Sequence, residues 1–274
     1  MSFPEIKSIG KNADEEDAVL DYFLTTDAVQ KISTNETFLI LGRKGAGKTA
    51  LVTHFTTGTR SPYSKALNLR NYPWKLHSEL KNSQTTEIEA YVASWGYLIA
   101  SQAASVLLSI NRDNEIDAEK KLREFFERNY GAPSVDVDKV FSPDRIEFQS
   151  GKLDPKLAGT SIGSIEFKKI ESSFGQQIEA VTNEIHRLIE ETLKYRTNKV
   201  QIELYFDELD FGIEKFERNR ELMIVGLVLA VAALRARVDA STQLVRPFVY
   251  LRYDLWQTFN FSDENKIARG PTLP

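Results

Sequence analysis

At 274 residues, with 42% hydrophobic and 27% charged side chains, the chain can bury one large core or two smaller ones. A formal net charge of −4 argues against coating of nucleic acid through bulk charge, so nucleic acid is not indicated as a partner. Cysteine is absent, which excludes disulfides and thiolate metal sites and favours an intracellular home; the three scattered histidines offer no metal-ligand spacing.

The opening Met1-Ser2-Phe3-Pro4-Glu5 lacks the basic and apolar regions of a signal peptide, so a cytoplasmic location is expected. Asn12 followed by Glu15 predicts a capping box that starts a helix running to about residue 30. The apolar run Thr37-Phe38-Leu39-Ile40-Leu41 then reads as a strand, and residues 49–55 read as a helix closed by Gly58. Between them stands Gly42-Arg43-Lys44-Gly45-Ala46-Gly47-Lys48-Thr49, which fits G-x-x-x-x-G-K-[ST], the phosphate-cradling P-loop. Chance alone would supply this pattern in roughly one chain in a hundred of this length. The strand–loop–helix context is the one the pattern requires. Glycines let the backbone turn its amides toward an anion. Lys48 is expected on the β/γ-phosphates, Thr49 on Mg²⁺, and Ala50 with the preceding loop residues along the nucleotide.

Residues 65–70 predict a second strand, ended by Tyr72-Pro73-Trp74. A long helix fits residues 87–110, and a shorter one starts near Ala118 and stops before Gly131. Residues 132–172 turn rich in proline, glycine and serine around Arg145-Ile146-Glu147-Phe148 and Ser164-Ile165-Glu166-Phe167, which predicts a β-hairpin or a mobile loop. The segment 111–172 is therefore expected as an insertion into a single domain spanning 1–274. Phe174, Ile178, Val181, Ile185, Leu188, Ile189 and Leu193 mark an amphipathic helix. The apolar run 222–234 is too short to cross a bilayer and is expected as a buried helix, with no membrane partner. Basic clusters such as Lys120-Lys121, Lys168-Lys169 and Arg235 with Arg237 read as solvated faces.

Val200-Gln201-Ile202-Glu203-Leu204-Tyr205-Phe206 leads into two acids, Asp207 and Glu208, in the manner of a Walker B strand. Asp207 is expected to hold Mg²⁺ and Glu208 to polarise the attacking water. Asp210 either assists the metal or caps the next turn. Residues 246–254 predict a fourth strand, at whose polar end Arg252 is either a γ-phosphate sensor or half of a salt bridge with Asp254. Asp210-Phe211-Gly212 spells a kinase triplet, but no H-R-D-type loop accompanies it, so it reads as coincidence. A guanine-specific N-K-x-D is missing, since Asn198-Lys199-Val200 is followed by Gln201; ATP is the expected nucleotide.

The loop, the Phe206-Asp207-Glu208-Leu209-Asp210 strand end and the Val249-Tyr250-Leu251-Arg252-Tyr253-Asp254 strand together resemble the additional-strand (ASCE) P-loop ATPases. Within that group the chain is similar to bacterial P-loop ATPases related to the KAP and STAND families. Glu15-Glu16-Asp17 and Asp263-Glu264-Asn265-Lys266-Ile267 add to the likeness. The resemblance implies a three-layer α/β/α P-loop NTPase fold with a mainly parallel sheet, ATP and Mg²⁺ as cofactors, and ATP-driven switching attached to other domains. It also implies phosphate, magnesium and water-activating roles for Lys48, Thr49, Asp207 and Glu208. Members of this class carry a fifth strand and a helical lid beside the loop strand. Here about twenty residues follow the fourth strand, so both are expected to be missing and the loop strand to lie at a sheet edge. The chain is then expected to be truncated or naturally abbreviated, or to be completed by a homo-oligomer or a partner protein, with Arg218 or Arg220 acting across the interface. The alternatives are a nucleotide-gated scaffold with little turnover and a P-loop small-molecule kinase.

Overall fold

The structure, a computed structural model, describes residues 27–57, 63–80, 86–110, 115–147, 156–157, 160–161, 164–166, 174–195, 200–211, 217–237 and 243–259. In chain order its elements are α1 (Asp27–Ser33), β1 (Leu39–Gly42), α2 (Lys48–Thr56), β2 (Ser64–Asn68), α3 (Trp74–Ser78), α4 (Glu87–Ser109) and α5 (Asp117–Tyr130). Four short strands follow, β3 (Arg145–Glu147), β4 (Lys156–Leu157), β5 (Thr160–Ser161) and β6 (Ser164–Glu166). The chain continues through α6 (Phe174–Tyr195), β7 (Ile202–Asp207), α7 (Arg218–Ala236), β8 (Val245–Arg252) and α8 (Tyr253–Trp256).

The protein is α/β. Its central sheet runs β1-β8-β7-β2, with every pairing parallel. Parallel strands are buried on both faces, and alternate side chains here serve two different helical layers. Ile40, Tyr205, Phe248 and Tyr250 pack with Val29 and Ile32 of α1 and with Leu51, Val52 and Phe55 of α2. Leu41, Leu204, Phe206, Val249 and Leu251 face the larger core built with α4, α6 and α7.

Helix α4 forms the spine of that larger core. Thr86 and Glu89 close a capping box at its start: Glu89 N donates to Thr86 Oγ1 at 3.3 Å, and Thr86 N donates to Glu89 Oε2 at 3.0 Å. The helix is long and apolar enough to cross a membrane by length and composition, yet 78% of its apolar window is buried in the fold, which makes it a core helix. It crosses α7 so closely that a Cβ on Gly226 would stand 2.6 Å from Tyr91 Cβ. At that crossing Trp95 Nε1 donates to Met223 O at 2.7 Å.

A proline in an interior strand needs an explanation, because it removes a ladder donor. In β8 the odd-numbered residues turn their N–H toward β1, as Val249 N shows by donating to Phe38 O at 2.7 Å. Pro247 lies two residues earlier, level with chain that precedes β1, so the ladder loses no bond there.

Several expectations shift. The predicted helix over 12–30 lies mostly outside the described residues; α1 covers Asp27–Ser33. The second strand stops at Asn68, because Asn68 Oδ1 accepts from Arg70 N at 2.9 Å and turns the chain. Tyr72-Pro73-Trp74 leads into the one-turn helix α3, with Pro73 at its N-cap. The fourth strand ends at Arg252, and Tyr253 and Asp254 begin α8. The predicted hairpin segments do pair antiparallel, Ile146 opposite Ile165, and both isoleucines join the main core. Arg235, read as part of a solvated face, donates both Nη atoms to Asn35 at 2.5 Å, one to Oδ1 and one to the backbone carbonyl. It thereby pins the turn ahead of β1, where Asn35 has φ 58°.

Candidate functional site at the carboxyl edge of the sheet

Because the four strands are parallel, their carboxyl ends open on one edge, where α/β proteins place ligands. The loop after β1 reaches this edge with Gly45 at φ 81° and Gly47 at φ 79°, left-handed conformations that disfavour any side chain. Gly47 is the N-cap of α2 and makes no side-chain cap. The first intrahelical bond runs from Leu51 N to Gly47 O at 3.0 Å, so the amides of Lys48, Thr49 and Ala50 have no acceptor within the helix. Stacked rings hold α2 against the sheet: Phe55 lies on Tyr205 (5.5 Å, 10°) and Tyr205 on Phe248 (5.0 Å, 13°).

Lys48 Nζ folds over the loop and donates to Arg43 O at 3.1 Å and Gly42 O at 3.3 Å. Burial lowers its pKa, opposed by the negative charges of Asp210 and Asp207. Thr49 Oγ1 donates to Asp207 Oδ2 at 2.8 Å, joining the start of α2 to the end of β7 across 158 residues of sequence. Asp207 is buried, and that burial raises its pKa against the hydrogen bonds from Thr49 and from Glu208 N.

Glu208 behaves differently from its neighbour. Its backbone takes φ 60°, and its N–H donates to Asp207 Oδ1 at 2.9 Å. Its carboxylate is gripped at both oxygens by Arg70, Nε to Oε2 and Nη2 to Oε1, each at 2.8 Å. Arg70 follows β2, on the far side of β7 from the loop, and its guanidinium lies 4.4 Å over the Phe211 ring. Asp207 thus turns toward the loop and Glu208 away from it.

Arg252 donates to Asp254, Nη2 to Oδ2 at 2.5 Å and Nε to Oδ1 at 3.2 Å, and stands 3.6 Å from Asp210 Oδ2. The salt bridge weighed from sequence is therefore formed, and Asp210 belongs to it. Arg220 turns inward, donating Nη2 to Leu209 O at 2.8 Å and lying 4.3 Å over Trp74, while Arg218 is exposed. Arg220 is thus engaged in the chain's own packing. The structure gathers Lys48, Thr49, Asp207, Asp210 and Arg252 about the loop. Arg43 and Lys44 project to solvent, Gly42 is buried, and Ala46 N closes the turn onto Arg43 O at 3.1 Å.

In the sequence Arg70 is only the last residue of the strand expected over 65–70. The signal that finds it is topological: β2 pairs with β7 so that Asn68 sits opposite Asp207, which brings the turn bearing Arg70 beside the end of the acid strand. Among the described residues no group of three or more His, Cys, Asp or Glu converges as a self-sufficient metal cage. Fold and edge together define an α/β protein with a parallel four-stranded sheet and a glycine-rich loop facing a buried acid. Compared with known proteins, the chain matches no family model, no curated protein and no solved structure.

Proposed function

We propose that the chain is a P-loop ATPase of the additional-strand type, an ATP-driven switch that hydrolyses ATP to ADP and phosphate. The observation that carries this reading is the 2.8 Å hydrogen bond from Thr49 to Asp207. It brings the two residues that the loop and the acid strand assign to a magnesium ion within bonding distance. The sheet supports it too, since its strands are all parallel and the loop and the acid strand end on the same edge.

The residues suit the groups they would hold. Two left-handed glycines shape the loop, and α2 offers uncapped amides and the positive end of its dipole to an anion. Lys48 would exchange its two carbonyl partners for β/γ-phosphate oxygens. Thr49 and Asp207 would hold Mg²⁺, which would supply charge compensation on the phosphates. In the reaction a water oxygen bonds to the γ-phosphorus as the bond to the β–γ bridging oxygen breaks. Glu208 takes the water's proton, and ADP departs with the electron pair. Lys48 and the loop amides stabilise the charge that develops.

A second reading, a nucleotide-gated scaffold with little turnover, is favoured by the engagement of Glu208 with Arg70. Radiolabelled ATP with the purified chain separates the two. Lys48→Ala should abolish binding. Glu208→Gln should preserve binding and lower phosphate release by about a hundredfold or more, the scale on which general-base catalysis acts. Unchanged release in Glu208→Gln would refute the catalytic assignment.

A further inference from the structure

We infer that the chain holds a second binding site, a pocket for a small monocarboxylate with an apolar body, formed where α4, α6 and α7 converge. None of the residues lining it belongs to the loop edge, so the inference stands apart from the ATPase reading. The pocket encloses about 420 Å³, a size that takes a small organic ligand. Its space has an origin in the sequence. Ala93 and Gly96 of α4 and Ala233 of α7 present almost no side chain where the three helices meet. A Cβ on Gly96 would approach Thr182 Cγ2 at 3.8 Å, an ordinary contact, so the space there is open and not squeezed shut. Larger residues would fill it, as packing in protein interiors ordinarily does.

The walls set the chemistry. Ile88, Val92, Leu229 and Leu234 give a mainly apolar lining, which suits an alkyl body. Arg237 and His186 line the pocket together, close enough for the guanidinium charge to act on the imidazole. Arg237 Nη1 donates to Asn183 Oδ1 at 2.9 Å, which leaves the rest of its fork for a carboxylate. No hydrogen bond joins the His186 ring to another described residue. Burial and the Arg237 charge lower its pKa to about 4, so at neutral pH the ring is uncharged and has one N–H to donate. Two acids also border the pocket, and neither occupies that end. Glu89 Oε2 is tied to Thr86 N at the start of α4. Glu179 precedes His186 by two helical turns, about 10 Å along α6. The Arg237 end therefore takes the carboxylate, and the apolar length takes the body.

Isothermal titration of the full chain with decanoate, decanol and decylamine, each below its micellar concentration, tests the site. Decanoate should bind one to one, and decanol and decylamine more weakly by about three- to tenfold, the scale of one partly exposed ionic hydrogen bond. Ala233→Leu fills the pocket from a solvent-exposed helix position and should weaken decanoate by about tenfold or more, with the melting temperature kept. Arg237→Gln should weaken decanoate by about three- to tenfold and leave decanol affinity as it was. Equal affinity for the three probes, or tighter binding of decylamine, would overturn the carboxylate assignment. Decanoate binding undiminished in Ala233→Leu would overturn the location. No decanoate binding to wild type would overturn the site altogether and leave the ATPase reading standing.

Discussion

Two adjacent acids on one strand end do opposite things. Asp207 is buried and hydrogen-bonded to Thr49; Glu208 is turned to Arg70 through a left-handed backbone. Asp207 is the last residue of β7 and Glu208 follows it at φ 60°, so the left-handed backbone at the strand end sends the two side chains apart. The loop glycines carry a similar constraint. A Cβ at Gly47 would meet nothing within 4 Å, so the penalty of Gly47→Ala is conformational and not steric. That substitution should cost about 1–2 kcal/mol at φ 79° and weaken ATP binding well beyond its effect on unfolding, as calorimetry beside a denaturant melt would register. Equal losses in the two measurements would contradict a ligand-binding role for the loop.

The site depends on how closely the helices and strands approach. Gly226 lets α7 lie against α4, and an added methyl would collide with Tyr91 at 2.6 Å from backbone-anchored atoms that cannot swing aside. Gly226→Ala should destabilise the protein by about 1–3 kcal/mol, seen as a lower melting temperature with cooperative unfolding kept. An unchanged melting temperature would mean that the crossing is looser than described.

Elements of this length were legible in the sequence where one periodicity ran unbroken. The apolar spacings that marked 87–110 and 174–193 correspond to α4 and α6, and the β-rich run before Asp207 corresponds to β7. What escaped were features fixed by side chains acting on backbone: the Asn68 turn that shortens β2, and the Thr86 capping box. Lys48, Thr49 and Asp207 could be nominated from motif and position. Arg70 could not, because its meaning depends on β2 pairing with β7, and pairing order is not written in local spacing.

Across the whole molecule, stability should fall in mild acid because buried histidines, His77 and His186, resist protonation in the folded chain. His77 is fully buried, with Nδ1 2.7 Å from Tyr72 Oη and Nε2 2.6 Å from Ser94 Oγ, against the rings of Trp95 and Phe141. Burial lowers its pKa to about 3 from an ordinary value of 6.5. The unfolded chain therefore binds a proton that the folded one refuses, and stability is lost as pH falls below 6.5 toward 3. The slope should approach 1.4 kcal/mol per pH unit, or about 2 kcal/mol between pH 7 and pH 5 from this group. Urea melts at the two pH values should record that difference, and His77→Gln should shrink it. The slope left after that substitution belongs to His186, whose pKa burial lowers to about 4; an undiminished slope would refute the His77 assignment.

Pro247 has a consequence for how accurately the glycine loop is placed. A short strand of four residues could in principle slide along its neighbour, and two apolar partners would tolerate the shift. Sliding β1 toward the start of β8 would bring it level with a residue that has no hydrogen to offer. The imino acid thus withholds one ladder bond from a register in which β1 sits nearer the start of β8, and so favours the alignment that sets Gly42 beside Arg252.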